Sequence, residues 1–411
     1  MSWEKVKLGD IAANIQTGPF GSQLHQSDYS EEGTPVVMPK DLVAGHISEA
    51  SIARVSDDHV SRLSRHKIQA GDILYSRRGD VGRCAFATEY EKGWLCGTGC
   101  LRVTIDTEKA VPKFAFYQLQ KAETVGWVEK HAVGSTMLNL NTSILSNVPV
   151  ELPPIAEQKR IVEILSAFDA LIENNQKQIK LLEEAAQRLY KEWFVDLRFP
   201  GYENTPVVDG VPEGWQFRPL SEVFDFVRGK SYTSKELSDT TGVLMANLKN
   251  IHAFGGYKRN AEKRFTGQFK ENQTLTAGDL IMGVTDMTQE RRLVGHVALV
   301  PDMGEAMTFS MDLIKIIPKL ANKLFIYSAL HYGGLSNQIS PLANGVNVLH
   351  LKPEAMMGIE MLIPSTKILR KYHDQIAPFI ARIEVLQKQC NIAAEARDRL
   401  LPKLMNGEIE V

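Results

Sequence analysis

A seam of apolar residues runs through the middle of the chain at alternating steps of four and three: Ile161, Leu165, Phe168, Ile172, Asn175, Ile179, Leu182, Ala186, Leu189 and Trp193. Nine of these ten are apolar. A 3.5-residue period of this length belongs to a helix that lays one stripe against a second helix. Glu163, Lys177, Lys180, Glu183, Glu184 and Arg188 fall off the stripe. Pro153-Pro154 suits the helix entry and Phe199-Pro200-Gly201 marks its end. About forty helical residues span roughly 60 Å.

The partner stripe is in the same chain. Shifting every seam position by 211, from 161 to 372 onward, gives Tyr372, Ile376, Phe379, Ile383, Leu386, Cys390, Ala393, Arg397, Leu400 and Leu404. Again all but one can pack. Two long helices in one chain, antiparallel, would bury both seams. The two polar departures, Asn175 and Arg397, read as register-fixing residues.

The repeat extends beyond the helices. VGSTMLNLNTSILSNVPVELPP (133–154) aligns at the same offset with NGVNVLHLKPEAMMGIEMLIPS (344–365), and AGDILYSRRGDVGRCAFA parallels AGDLIMGVTDMTQERRLVGHVALV, which carries an insertion. Trp3 and Trp215 open the copies. A period this long is a duplicated domain, not a solenoid of 20–50-residue units. IQAGDILYSRRG, GRCAFA and CLRVTI read as strands, and VPKFAFYQLQKAETVGWVEKH and ANKLFIYSALHYGGLSNQI read as helices. The fold class is therefore α+β: two similar globular domains separated by two long antiparallel helices (a coiled coil), with a pseudo-two-fold internal duplication. The boundaries are 1–152 and 212–363 for the globular domains, and 153–199 and 364–407 for the helices.

Composition narrows the function classes. In 411 residues the net charge is −2, so any anion-binding face must be a local patch. No apolar run approaches the length of a membrane span, and MSWEKVKLGDIA has no signal-peptide pattern, so the expectation is a cytoplasmic protein with no membrane partner. Cys84, Cys96 and Cys100 lie close together, but no second ligand pair follows. Reduced, packed thiols are the reading, with no metal. Gly229-Lys230-Ser231 lacks the upstream glycine of a phosphate loop, and no nucleophile–base spacing stands out, so no catalytic residue is assigned. For a chain that meets DNA, two domains on a fixed spacer would read two half-sites, and diverged copies would read different sequences.

LPPIAEQKRIVEILSAFDALIE, the GSTMLNLN loop, and the paired AGDILYSRRG and AGDLIMG segments, together with the domain–helix–domain–helix plan, resemble the specificity subunits of type I restriction-modification enzymes. The resemblance covers essentially residues 1–407, although LIPSTKILRKYHDQI lacks the Glu-Gln pair of the first copy. It implies two target recognition domains reading a bipartite, asymmetric double-stranded DNA target, and helices that act as spacer and as docking surface for two adenine methyltransferase subunits. Those partners would bind S-adenosylmethionine. A translocating restriction subunit would join them, and this chain would bind no cofactor and catalyse nothing. A type IIB-like system and a protein-only two-lobed scaffold are the alternatives.

Base and phosphate contacts call for Arg, Lys, Asn, Gln and small polar groups. Residues 54–83 carry seven Arg or Lys against four Asp. The candidates there are Arg54, Arg65, Lys67, Arg77 and Arg78, with Gln16 and Ser22 on the glycine-rich QTGPFGSQ loop. In the second copy NLKNIHAFGGYKRNAEKR is the best basic-aromatic patch, giving Asn247, Lys249, Tyr257, Lys258, Arg259, Lys263 and Arg264; Arg228, Lys230, Arg291 and Arg292 complete the set. Asn139 and Asn141 either face DNA or cap a turn.

Overall fold

The computed structural model describes residues 3–134 and 138–411, so Ser135, Thr136 and Met137 of the GSTMLNLN loop lie outside the described residues. The chain divides into two units, Met1–Asn174 with Cys390–Val411, and Asn175–Gln389. Each long helix therefore contributes half its length to each unit.

In the first unit an antiparallel sheet runs in the order 12–17, 100–105, 73–76, 84–86, and a second sheet runs 95–96, 34–37, 53–55, 29–30. In the second unit the orders are 224–228, 313–318, 280–283, 297–299, and 307–309, 243–246, 263–265, 237–238. Strand for strand these are the same. In both second sheets the first pair is parallel and the rest antiparallel. Each unit is closed by its opening strand pairing with the strand before a long helix, Glu4–Lys7 with Pro149–Leu152 and Gln216–Pro219 with Glu360–Ile363. The apolar run ILYS at 73–76 is buried along its whole length, as a central strand covered on both faces must be.

The expected helix over 112–131 is two helices, Pro112–Gln120 and Ala122–His131, because Lys121 takes an extended conformation between them. Their counterparts are Lys323–His331 and Leu335–Ile339, separated at Gly333-Gly334. Asn141 caps the short helix Thr142–Ser146 by accepting from the Ile144 amide at 2.8 Å. Cys84 packs in one apolar cluster, Cys96 and Cys100 in another. Burial pushes the Cys84 and Cys96 thiols up to about 12, so both are inert as nucleophiles at neutral pH.

The long helices are Ile155–Tyr190, extended by a π-turn over Lys191–Val195, and Thr366–Met405. At 1.5 Å per residue they measure about 54 and 60 Å. They are antiparallel within each unit. In the first, Asp169 meets Arg397 at 2.8 Å and the Ile172 carbonyl faces Cys390. In the second, Asn175 meets Gln389 at 3.2 Å and Gln178 meets Arg382 at 3.4 Å. Ile161, Leu165, Ile376, Ile383 and Leu386 are buried; Phe168, Ile172, Ile179, Leu182, Leu189, Phe379 and Leu400 are half-buried, and none of the seam is exposed. Both polar departures from the seam are thus partnered by hydrogen bonds across the helix pair.

Candidate nucleic-acid interface

The duplication reproduces one end of each globular unit down to its backbone contacts. In the first unit Gly18 donates to the Cys100 carbonyl at 2.9 Å, and a Cβ on Gly18 would lie 2.0 Å from the Gly97 carbonyl oxygen. Only glycine lets the 18–23 loop lie so close to the 97–99 turn. The Arg77 amide donates to Gly99, and the Arg77 carbonyl accepts from the Leu140 amide, both at 2.8 Å. Three loops, near 20, 77 and 139, therefore converge.

The second unit uses the same scheme. A Cβ on Gly229 would fall 1.9 Å from the Ser310 carbonyl oxygen. Val284 donates to Asp312 and accepts from Leu351, again both at 2.8 Å. Arg78 bridges to Asn139 as Thr285 pairs with His350.

The side chains on this shared frame differ. In the first unit the Arg77 guanidinium lies 5.9 Å from the centroid of the exposed Phe20 ring, and its Nε has no hydrogen-bond partner. Arg78 beside it is exposed. In the second unit the insertion forms a loop braced by Asp286. That buried carboxylate accepts from the amides of Thr288 at 2.8 Å and Leu293 at 2.6 Å. Burial opposes its ionisation, but the Leu293 and Thr288 amides outweigh it and hold the carboxyl below its ordinary value. Gln289 ties this loop to the Val346 carbonyl at 2.8 Å. Met287 is 74% exposed and Val346 88%. Arg291, at φ 52°, also presents an unpartnered Nε.

Several residues assigned to DNA from the sequence are engaged in contacts within the chain. Asn247 is 5% exposed; its carbonyl caps the Lys249 amide and its amide donates to Ala261 at 2.7 Å. Tyr257 is 6% exposed in an apolar cluster, with its hydroxyl on Glu262 at 2.8 Å. Arg259 donates to the Asp302 carbonyl and pairs with Glu384. Gln16 spends its amide on the Arg65 carbonyl at 2.7 Å. Arg54 bonds to Gly33 and pairs with Glu49, and Arg264 bonds to Gly242 and holds Glu305 through two bonds. Arg228 pairs with Glu354, and Arg292 with Glu290. Lys263 donates to the Tyr232 hydroxyl at 3.1 Å. A basic-aromatic count does not separate a cation facing solvent from one already spent.

The assigned positions left on the surface are Ser22, Arg65, Arg78, Lys249 and Lys258, all exposed, with Lys67, Arg77, Lys230 and Arg291 half-buried. Arg77, Arg78, Lys230 and Arg291 lie on or beside the loop ends just described. Sequence reading passed over Phe20, Met287, Gln289 and Val346. For Met287 and Gln289 the available signal was the insertion itself, MTQERRL, in the second copy.

The family model for the type I restriction modification DNA specificity domain matches residues 1–184 and again 212–395. The chain therefore belongs to the family of type I restriction-modification specificity subunits, and it carries that domain twice. It is 25% identical over 427 residues to the type I restriction enzyme MjaIX specificity subunit of Methanocaldococcus jannaschii, covering 100% of this chain and 94% of that one. It is 21% identical over 476 residues to the HindI specificity subunit of Haemophilus influenzae, covering 99% of each. The fold matches the crystal structure of a type I restriction-modification S subunit from M. genitalium with a TM-score of 0.63 at 18% identity, over 98% of this chain and 96% of that one. Among the described residues no helix is long and apolar enough to cross a membrane.

Proposed function

We propose that each unit reads one half of a bipartite, asymmetric double-stranded DNA target, through the converging loops around Arg77 and Phe20 in one unit and around the Asp286-braced loop in the other. The observation that carries this is the pairing of an identical backbone frame with different side chains. Two readers of different half-sites need one frame that presents different loop tips, which is the arrangement the two units share. The chain itself catalyses nothing. The outer faces of the long helices dock two adenine methyltransferase subunits, which hold S-adenosylmethionine, and through them a restriction subunit, in the cytoplasm. The helices fix the gap between the half-sites.

The test is DNA affinity of the chain co-purified with its methyltransferase, measured against salt. Phosphate neutralisation gives a linear fall of log K with log salt, of slope about −0.9 per contact. No measurable affinity of the complex for double-stranded DNA even at about 50 mM salt would leave only a protein scaffold.

A further inference from the structure

The joint between the long helices and the globular fold is filled differently in the two units. In the first, the Lys113 ammonium lies 4.5 Å from the ring centroid of Phe86, 4.6 Å from that of Phe116 and 5.4 Å from that of Tyr117. Asp169 stands 3.8 Å away as its counter-ion. This is an ammonium ion in an aromatic cage, supplied by the chain itself.

In the second unit the corresponding residues are Leu324 for Lys113, Ile380 for Asp169, Tyr327 for Phe116 and Leu299 for Phe86. Cation and counter-ion are lost together, and a cavity of about 120 Å³ lies at that place, lined by Leu324 and Ile380 among others. Of the three cage rings only that of Phe116 has an aromatic counterpart, Tyr327, and Tyr332, at the position of Lys121, adds a second ring from a new place. Tyr327 and Tyr332 also line the cavity, their rings 5.8 Å apart and near-perpendicular at 82°. Glu183, from the first long helix, supplies a carboxylate where the first unit has Ala394. Among the described residues no side-chain cation lies within ion-pair distance of Glu183; Glu384, the other acid of the lining, is held by the Asp302 amide at 2.8 Å and by Arg259.

We propose that this cavity binds a small organic ammonium ion, with Glu183 as its counter-ion and the Tyr327 and Tyr332 rings as its walls. The two carboxylates repel an anion, and the apolar walls suit an alkyl arm better than a hydrated metal ion. The volume accepts several waters or one small organic group. The first unit shows what such a joint looks like when the ammonium is tethered.

The experiment is calorimetric titration of the full-length chain with butylammonium chloride, against sodium chloride at equal ionic strength. Saturable binding specific to the ammonium is expected. Glu183→Gln should weaken it by about tenfold or more, the scale of a desolvated ion pair. Leu324→Lys should abolish it, because the new side chain places its own ammonium in the cavity. Butylammonium heats no different from those of sodium overturn the proposal, as does full affinity in Glu183→Gln. Retained binding in a folded Leu324→Lys variant overturns it too, by placing the ion elsewhere. The Glu183→Gln arm stands if Leu324→Lys fails to fold.

Discussion

In the first unit the long helices meet the globular fold through Tyr117, Asp169 and Arg397: the Tyr117 hydroxyl donates to Asp169 at 2.6 Å and Arg397 donates to it at 2.8 Å. In the second unit the same positions are Ser328, Ile380 and Ala186. There the joint is aromatic. Phe194 lies 4.9 Å from Phe325 and 4.8 Å from Tyr372, both near-perpendicular, and Tyr190 and Trp193 complete the cluster. One topology is thus anchored by a half-buried charge network in one copy and by ring packing in the other. Strand order is set by which elements need cover. The chemistry of the anchor is free to drift so long as the joint stays filled or its polar groups stay paired.

The contrast can be broken from either side. The largest effect belongs to Phe325→Ala, which removes a fully buried ring and should cost about 3–5 kcal/mol, seen as lost hydrogen-exchange protection in the second unit with the first unchanged. Asp169→Ala comes next, at about 2–3 kcal/mol in the first unit, because it removes the counter-ion of Lys113 and leaves Arg397 only the exposed Asp398. Tyr117→Phe, which leaves Arg397 paired, should cost only about 1 kcal/mol. A denaturant midpoint for Asp169→Ala no lower than that for Tyr117→Phe would mean that the network is not holding the joint.

Acid separates the units further. Burial lowers His331 in the second unit to about 4 from its ordinary 6.5, and the first unit has Gln120 at that position. A histidine lowered on folding contributes its full stability above pH 6.5 and loses it as pH falls towards 4. Discounted for relaxation, about 2 kcal/mol should disappear from the second unit over that window, and His331→Gln should flatten the slope. Asp169 behaves oppositely in range. Burial raises it, but Tyr117 and Arg397 bring it below its ordinary 3.8, so its contribution persists down to about that pH and is lost only beneath it. The one gain is at Asn175, 3% exposed on the seam: Asn175→Leu should raise stability by about 1 kcal/mol, read from the denaturant midpoint.

The seam and the duplication were legible because each repeats a pattern many times over, so single departures did not hide them. The strand pairings were not, since residues 34–37 pair with 95–96 and with 53–55, and nothing local in the sequence marks those partners. The loop position of Arg77 and Arg78 was readable from the strand that runs into Gly79. The engagement of Asn247, Tyr257 and Arg259 was not, because their partners, Ala261, Glu262 and Glu384, become visible only once the chain has folded. Arg397 reads from the sequence as a register-fixing polar residue of the seam. Its carboxylate, Asp169, sits one position past seam residue Phe168 in the other helix, and that neighbourhood was the clue to the buried network.

The central claim is that each unit reads its own half of the target. The measurement that tests it most directly is a map of methylated adenines in a methylation-free host expressing this chain with its methyltransferase, before and after residues 1–150 are exchanged for those of a relative. The account predicts a two-part motif with a fixed gap, of which one half changes and the other, with the gap, is retained. A motif in which both halves change together, or no motif from a soluble complex, would contradict it.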